Sequence, residues 1–323
     1  MQIKYLAQRL MPYQTRSAIL LTIFNRPDTT LQVFEQIRAV RTPRLYVAGD
    51  GPRTNRPQEA ELCEQARAVV NLVDWPCEVK TLFRDTNLGC KEAMSSAITW
   101  FFNEEEEGIV LEDDCYPSVT FFEYCDVLLE RYRFDTRIRH IGGVNHQQGA
   151  VYGDGSYYFS NLTHVWGWAS WRRVWKDYDK DLKKYSVAAL RKRMQKIFDN
   201  PFTTHTWENI FKTVKDGKID TWDYQLTFLN FFNNGLSTIP NRNLITNIGF
   251  GSNATHASDV TDRNASLPLQ HLDEIIHPTL IIPQKQADMF TMSYDFSLVE
   301  PLSPKHNKLS RRFKRWVKGL FGR

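Results

Sequence analysis

Four short apolar runs, each closed by polar or charged residues and separated from the next by a helical stretch, constrain this chain more than any other feature. They are "SAILLTIFN" (17–25), "RLYVAGD" (44–50), "CEVKTLFRD" (77–85) and "GIVLEDD" (108–114). Between them lie "TTLQVFEQIRAV", in which Leu31, Val33, Phe34, Ile37 and Val40 suit one helical face, then the polar "QEAELCEQARAVVNLV", then "CKEAMSSAITWFFNE". Pro27 stops the first run, and Asp28 or Thr29 suits the cap of the helix that follows. Such alternation predicts an α/β domain with a largely parallel sheet. Sheets of this kind bind ligands beyond the carboxyl ends of their strands. The polar residues there are Asn25 and Arg26, Asp50, Arg84 and Asp85, and Glu112, Asp113 and Asp114. Four strand ends are therefore expected to converge on one crevice.

Three adjacent carboxylates at the end of an apolar run repel one another, and desolvation adds to the cost. A bound cation offsets both. Aspartates after a strand suit Mg²⁺ or Mn²⁺, which take carboxylate and phosphate oxygens and keep several waters; a solvated acidic loop is the plainer alternative. "EEEE" at 104–107 has no apolar strand before it and reads as a solvated turn. Asp50 in "GDGP" either accepts from a base or ribose or closes an Asx-turn. Gly89 in "NLGCKEA" opens a helix, a backbone cradle suited to anions. "GWASWRR" offers a platform for sugar faces or a tryptophan core, with two of Trp166, Trp168, Trp171 and Trp175 expected in the core. "TWDYQ" sets Asp223 beside Trp222 near a helix start, where it either caps the helix or serves as a general base.

The second half is less regular. "RIRHIGGVNHQ" reads as a strand entering a polar loop, and "LKKYSVAALRKRMQKIF" and "TWDYQLTFLNFFNNG" read as helices. From about Ser258 to Pro304 the chain is rich in Pro, Asp and His and reads as an extended wrap. With 323 residues the chain can bury a large core, and no apolar run approaches the ~20 residues of a membrane span. The start lacks a secretory pattern, so a cytoplasmic location is expected. Five cysteines without C-x-x-C spacing argue against a disulfide framework or zinc cluster and for buried thiols. Of the net +4, residues 305–323 contribute +8, which leaves the body at −4 and gives nucleic acid no surface beyond the tail. In that tail Leu309, Phe313, Trp316, Val317 and Leu320 fall on one helical face with Arg and Lys opposite. This is the pattern of an interfacial helix drawn to anionic lipid; a docked helix or a frayed terminus are the alternatives.

Taken in order from about 18 to 258, these motifs resemble those of GT-A fold, nucleotide-sugar-dependent glycosyltransferases. More narrowly, the chain resembles a bacterial group labelled hemolytic-protein-like glycosyltransferases, and it is similar to the animal N-acetylglucosaminyltransferase that initiates N-glycan antennae. The resemblance implies a Rossmann-like, mixed, mainly parallel sheet flanked by helices. It divides the chain into a GT-A domain over 1–258 (nucleotide half 1–115, acceptor half 116–258), an extended segment 259–304 and a basic amphipathic terminal helix 305–323.

It further implies roles for single residues. Arg26 in "FNRPD", with Asn25 beside it, meets the nucleotide phosphates; Asp50 meets uracil or ribose, and Arg84 lies near the base. Asp114 coordinates Mn²⁺ or Mg²⁺, Asp113 acts through ribose and metal-bound water, and Glu112 supports them. Asn145 and His146 in "IGGVNHQQG", Trp168 in "HVWGWASW" and Trp222 face the acceptor or donor sugar, with Asp223 as catalytic base. His256 in "NIGFGSNATHAS" closes over the donor, toward metal or phosphate. Two departures stand out: Tyr224 replaces an acid after Asp223, and the closing loop is Asn-rich where the family's is basic. The implied activity is inverting, metal-dependent transfer of a sugar from a nucleotide diphosphate, UDP foremost, to a hydroxyl of a glycan or lipid-linked acceptor, with peripheral contact at the inner membrane face. A sugar nucleotidyltransferase would want a Lys- and Gly-rich phosphate loop, which "FNRPDTT" is not. A non-catalytic membrane-active or sugar-binding protein leaves the ordered strand-end acids without a purpose.

Overall fold

The computed structural model describes residues 13–250, 264 and 267–296. At its centre is β1 (Ile19–Ile23), buried at every position, as a strand covered on both faces must be. On one side it pairs in parallel with β2 (Arg44–Gly49), and β2 with β3 (Glu78–Phe83); on the other it pairs in parallel with β4 (Glu107–Glu112). The register sets Ile23 opposite Gly49, Gly49 opposite Phe83 and Thr22 opposite Glu112, so the four carboxyl ends finish level.

The sheet continues past β4 through β8 (Trp168–Trp171), β6 (Ile138–Gly142), β9 (Leu236–Pro240) and β7 (Tyr157–Ser160). Eight strands thus run in the order 3-2-1-4-8-6-9-7, with β8 and β7 antiparallel to the rest. A two-stranded ribbon joins β5 (Cys115–Pro117), just after the acid triplet, to β10 (Ile245–Asn247). The expected mixed, mainly parallel α/β sheet packed by helices is the observed one.

The helices are α1 (Pro27–Val40), α2 (Glu59–Arg67), α3 (Cys90–Glu104), α4 (Val119–Arg131), α5 (Arg172–Trp175), α6 (Val187–Ile197), α7 (Pro201–Lys215), α8 (Asp223–Phe232) and α9 (Lys285–Tyr294). In α1, Pro27 takes the first turn, where its missing N–H costs nothing. Arg26 is the N-cap, so neither Asp28 nor Thr29 caps the helix. Val33, Phe34, Ile37 and Val40 join the main core, while Leu31 is 43% exposed and lies off that face. A smaller core unites α6, α7 and α8 through Leu190, Met194, Trp207, Phe211, Phe228 and Phe231. The sequence reading did not foresee α7.

Two expectations are corrected. The "EEEE" run is only half a solvated turn: Glu104, ending α3, and Glu106 are exposed, but Glu105 is 9% exposed. Its carboxylate accepts from Arg44 Nε at 2.7 Å, Arg44 Nη2 at 3.0 Å and the Tyr46 hydroxyl at 2.9 Å. Glu107 opens β4 and accepts from Arg133 Nη2 at 2.8 Å. Buried carboxylates persist when cations lie within reach, and both have one. The wrap after 258 is not wholly extended either. Residues 267–284 touch the sheet edge through a Phe159–Pro283 bridge, and α9 follows.

All five cysteines are free, with Cys63, Cys115 and Cys125 buried and Cys77 and Cys90 partly so. Among the described residues no helix is long and apolar enough to cross a membrane. The terminal helix expected over 305–323 lies outside them.

Candidate active site

A cleft of about 710 Å³ opens at the level carboxyl ends of β1 to β4. Arg26, Asp50, Arg84, Glu112, Asp113, Asp114, Trp222 and Asp223 all line it. Asn25, Asn145, His146 and Trp168 do not line it. His256 lies outside the described residues.

The floor is built from β1 and β4. Asp113 accepts from the Phe24 backbone N–H at 3.2 Å, which ties the acid triplet to the end of β1. Arg26, projecting from the start of α1, forks across both aspartates: Nη2 meets Asp113 Oδ1 at 2.5 Å and Nη1 meets Asp114 Oδ2 at 3.0 Å. Burial pulls the Arg26 pKa down, but the charges of Asp113, Asp114 and Glu112 raise it overall. Glu112 is held well above the carboxylate range by burial first, then by the charges of Asp114, Asp113 and Asp223. Burial also lifts Asp113, against the pull of Arg26. One guanidinium thus bridges Asp113 and Asp114 with Glu112 close by, which leaves the floor an excess of carboxyl groups over cations.

That excess, offered by hard carboxylate oxygens, fits a divalent cation. Among the described residues no three His, Cys, Asp or Glu side chains converge as a metal cage. A Mg²⁺-type site does not need one, since it takes one or two carboxylates and fills its sphere with water and phosphate. The ion would share Asp114 with Arg26. Gly249 closes the floor from the other side: a Cβ there would collide with the Asp114 carboxylate and the Arg26 guanidinium.

The wall formed by β2 and β3 is organised by Asp50. Its Oδ1 accepts from the backbone of Gly51 at 2.9 Å and Leu88 at 3.0 Å, and its Oδ2 accepts from Asn87 Nδ2 at 2.8 Å. The carboxylate therefore closes its own turn and pins the 87–88 loop. Burial raises its pKa against these backbone bonds. Arg84 donates from Nη2 to Ser96 Oγ at 3.2 Å. Arg67 of α2 donates from Nη2 to the carbonyls of Arg84 at 2.5 Å and Asp50 at 3.3 Å, bracing both strand ends. Arg53, paired with Glu59, also lines the cleft. The sequence reading passed over Arg53, although it directly follows the "GDGP" turn.

A further wall is the segment entering α8. Asp223 is the first residue of that helix, and the Thr221 hydroxyl bonds its carboxylate. Trp222 is nearly buried; its ring stacks on Trp168 with centroids 5.9 Å apart, and its carbonyl accepts from the Tyr178 hydroxyl at 2.9 Å. The anion cradle expected at Gly89 is already filled by a protein group. Cys90 and Lys91 donate their backbone N–H groups to the Asp220 carboxylate, each at 2.9 Å.

The tryptophans divide unevenly. Trp168, Trp171 and Trp175 are buried, Trp168 at 1% exposure, so Trp168 packs the core and does not face a sugar. Trp166, two residues earlier, lines the cleft. His146 stands behind it with ring centroids 5.5 Å apart, its Nδ1 3.0 Å from Asn264 Oδ1. Asn145 spends its side chain on the Pro240 carbonyl at 2.6 Å and the Gln147 N–H at 2.7 Å. Both therefore stiffen the loop behind the cleft wall.

No family model matches the chain, and no curated protein matches it. Solved structures match it over part of its length. HddC from Yersinia pseudotuberculosis is 10% identical, with 50% of this chain and 80% of that one covered and a TM-score of 0.31. Glucosyl-3-phosphoglycerate synthase from Mycobacterium tuberculosis, solved with Mn²⁺, UDP-glucose and phosphoglyceric acid, is 11% identical, with 50% and 58% covered and a TM-score of 0.29. A UDP-glucose pyrophosphorylase complexed with UDP-glucose is 8% identical, with 70% and 90% covered and a TM-score of 0.33. Likeness at this level assigns no chemistry to this chain.

Proposed function

We propose that the chain is an inverting glycosyltransferase that takes its sugar from a nucleotide diphosphate, UDP foremost, and places it on a hydroxyl of a glycan or lipid-linked acceptor. One observation supports this above all: a single cleft holds an arginine-bridged acid triplet on its floor and a separate carboxylate, Asp223, on its wall. Asp223 accepts the proton of the acceptor hydroxyl as that oxygen attacks the anomeric carbon. The bond to the nucleotide diphosphate breaks on the opposite face, and its electron pair leaves with the phosphate oxygen. Arg26, Arg53 and Arg84 present positive charge to the donor, which favours the leaving group as its charge develops. A divalent cation held by Asp114, with Asp113 and Glu112 around it, supplies further charge there when bound. Trp166 offers an aromatic face to the apolar side of a sugar ring.

The decisive experiment is a panel of UDP-, GDP- and TDP-sugars with Mn²⁺, scored for nucleotide diphosphate release. Release of one diphosphate, accelerated by a hydroxyl acceptor, supports the proposal. Pyrophosphate-dependent formation of a nucleoside triphosphate instead would make the chain a nucleotidyltransferase. The basic, amphipathic pattern of 305–323 supports an acceptor presented at an anionic membrane. Cosedimentation with anionic liposomes, lost on deleting that segment, checks this.

A further inference from the structure

Asp220 lines the cleft three residues before Asp223 and takes no part in the transfer set out above. Its carboxylate spans the first two backbone N–H groups of α3, and the contact joins positions 130 residues apart. The fit is close: Gly89 has φ +81°, and a Cβ there would stand 2.8 Å from Asp220 Oδ2. A carboxylate here also complements the positive end of the helix dipole.

The rest of the segment shows why this contact matters. Residues 215–219 are exposed, and a Cβ at Gly217 would meet nothing within 4 Å. Downstream, Tyr178 holds the Trp222 carbonyl and Gln225 Nε2 holds the Thr221 carbonyl at 2.7 Å. Upstream, Lys215 Nζ bonds the carbonyls of Leu182 and Tyr185 and the Lys218 N–H bonds that of Thr213; between these and Asp223 the tether is Asp220.

We infer that Asp220 is a positioning residue that clasps the amino end of α3 and thereby sets where Asp223 stands over the acid floor. The inference rests on the transferase reading for its effect on rate. A base displaced by an ångström loses much of its rate contribution, while the Arg26 floor, which Asp220 does not contact, is untouched. It also places the donor phosphates on the Arg26 side, because the α3 amino end is taken.

The test uses Asp220→Ala, and Asp220→Asn, which keeps one acceptor oxygen. Three quantities are measured: kcat, UDP affinity by calorimetry, and amide hydrogen exchange over 218–224. The expected result for Asp220→Ala is a kcat about tenfold lower, UDP affinity within twofold of wild type and faster exchange over 218–224, with Asp220→Asn intermediate in kcat and exchange. A wild-type kcat in Asp220→Ala overturns the inference, as does a loss of kcat matched by an equal loss of UDP affinity. If the wild-type chain releases no diphosphate from any donor, the transferase reading fails. Exchange then judges the clasp alone, and unchanged exchange over 218–224 in Asp220→Ala overturns it.

Discussion

Arg26 and Asp114, 88 residues apart in sequence, meet at 3.0 Å across the floor of the cleft. The family resemblance implies opposite clients for them, a phosphate for the arginine and a metal for the aspartate. In the folded chain they are each other's partner, so a divalent cation on Asp114 would share that carboxylate with Arg26.

Arg26→Met should therefore act in two directions. UDP affinity should fall about tenfold or more, because a cation facing the diphosphate is gone. The stabilising effect of Mn²⁺ alone should grow, because the guanidinium that shares its carboxylate is gone. Thermal melting with and without Mn²⁺ reads the second effect; an equal Mn²⁺ shift in variant and wild type would show that Arg26 does not balance the triplet.

Asp223→Asn should lower turnover by ~10²–10⁴-fold, the usual share of general-base catalysis. Calorimetric UDP affinity and melting temperature should stay near wild type, since this carboxylate takes no part in the Arg26–Asp113–Asp114 contacts proposed to seat the nucleotide. Turnover at the wild-type rate would remove Asp223 from the mechanism.

Trp166 and Trp168 should respond in different ways. Trp168→Ala empties a fully packed core position and should cost about 3–5 kcal/mol in denaturant unfolding. Trp166→Ala, at a half-buried position on the edge of the core, should lower the denaturation midpoint less and raise KM for the sugar-bearing substrates. Equal stability losses would mean that Trp166 is a core residue too.

Glu105→Ala should cost roughly 1–3 kcal/mol, because it leaves the Tyr46 hydroxyl and the half-exposed Arg44 without their shared acceptor. Glu106→Ala, on its exposed neighbour, should stay within about 0.5 kcal/mol. Urea midpoints of the two variants check the contrast.

Acid should weaken the fold through His140. Burial lowers its pKa to about 4, its Nε2 lies 2.8 Å from the His164 carbonyl, and His164 is lowered further by burial and its histidine neighbours. Below about pH 6.5 the unfolded chain takes up protons that the folded one refuses, so stability falls as pH drops. Burial raises Asp113 and Glu112, which have the opposite sign: the folded chain keeps protons that the unfolded chain releases. His140→Leu isolates the histidine. Its stability difference between pH 7 and pH 5, from urea unfolding, should shift by ~2 kcal/mol toward greater acid resistance than wild type. An unchanged difference would mean that His140 takes up its proton in the fold as readily as in the unfolded chain.

The first four strands were legible because each is an apolar run of strand length flanked by helical periodicity, and because parallel strands set their polar ends side by side. Asp114 and Arg84 could be placed at a cleft from that pattern alone. The remainder depends on contacts the pattern does not encode. Glu105 is buried because Arg44, 61 residues away, reaches it. Asp50 looked available to a ligand until Leu88 and Asn87 proved to fill its oxygens. Asp220 had no local signal, since its partners lie at the far end of the chain's first third. Trp166 and Trp168 have the same spacing parity, and only the point at which β8 begins separates a cleft residue from a core one. α7 escaped because "NPFTTHTWENIF" mixes β-branched and aromatic residues with weak helix preference, and its capping by Asn200 becomes decisive only once the smaller core holds it.

Gly249 imposes a rule on how this site can change over generations. It touches Arg26 and Asp114 together, from a stretch of chain tied to the triplet through the β5–β10 ribbon. A descendant that acquires any side chain at 249 must already have shortened one of the other two, or lose the pairing at once. Positions 26, 114 and 249 are therefore sterically coupled, and a change at 249 is expected to need a compensating change at one of the other two.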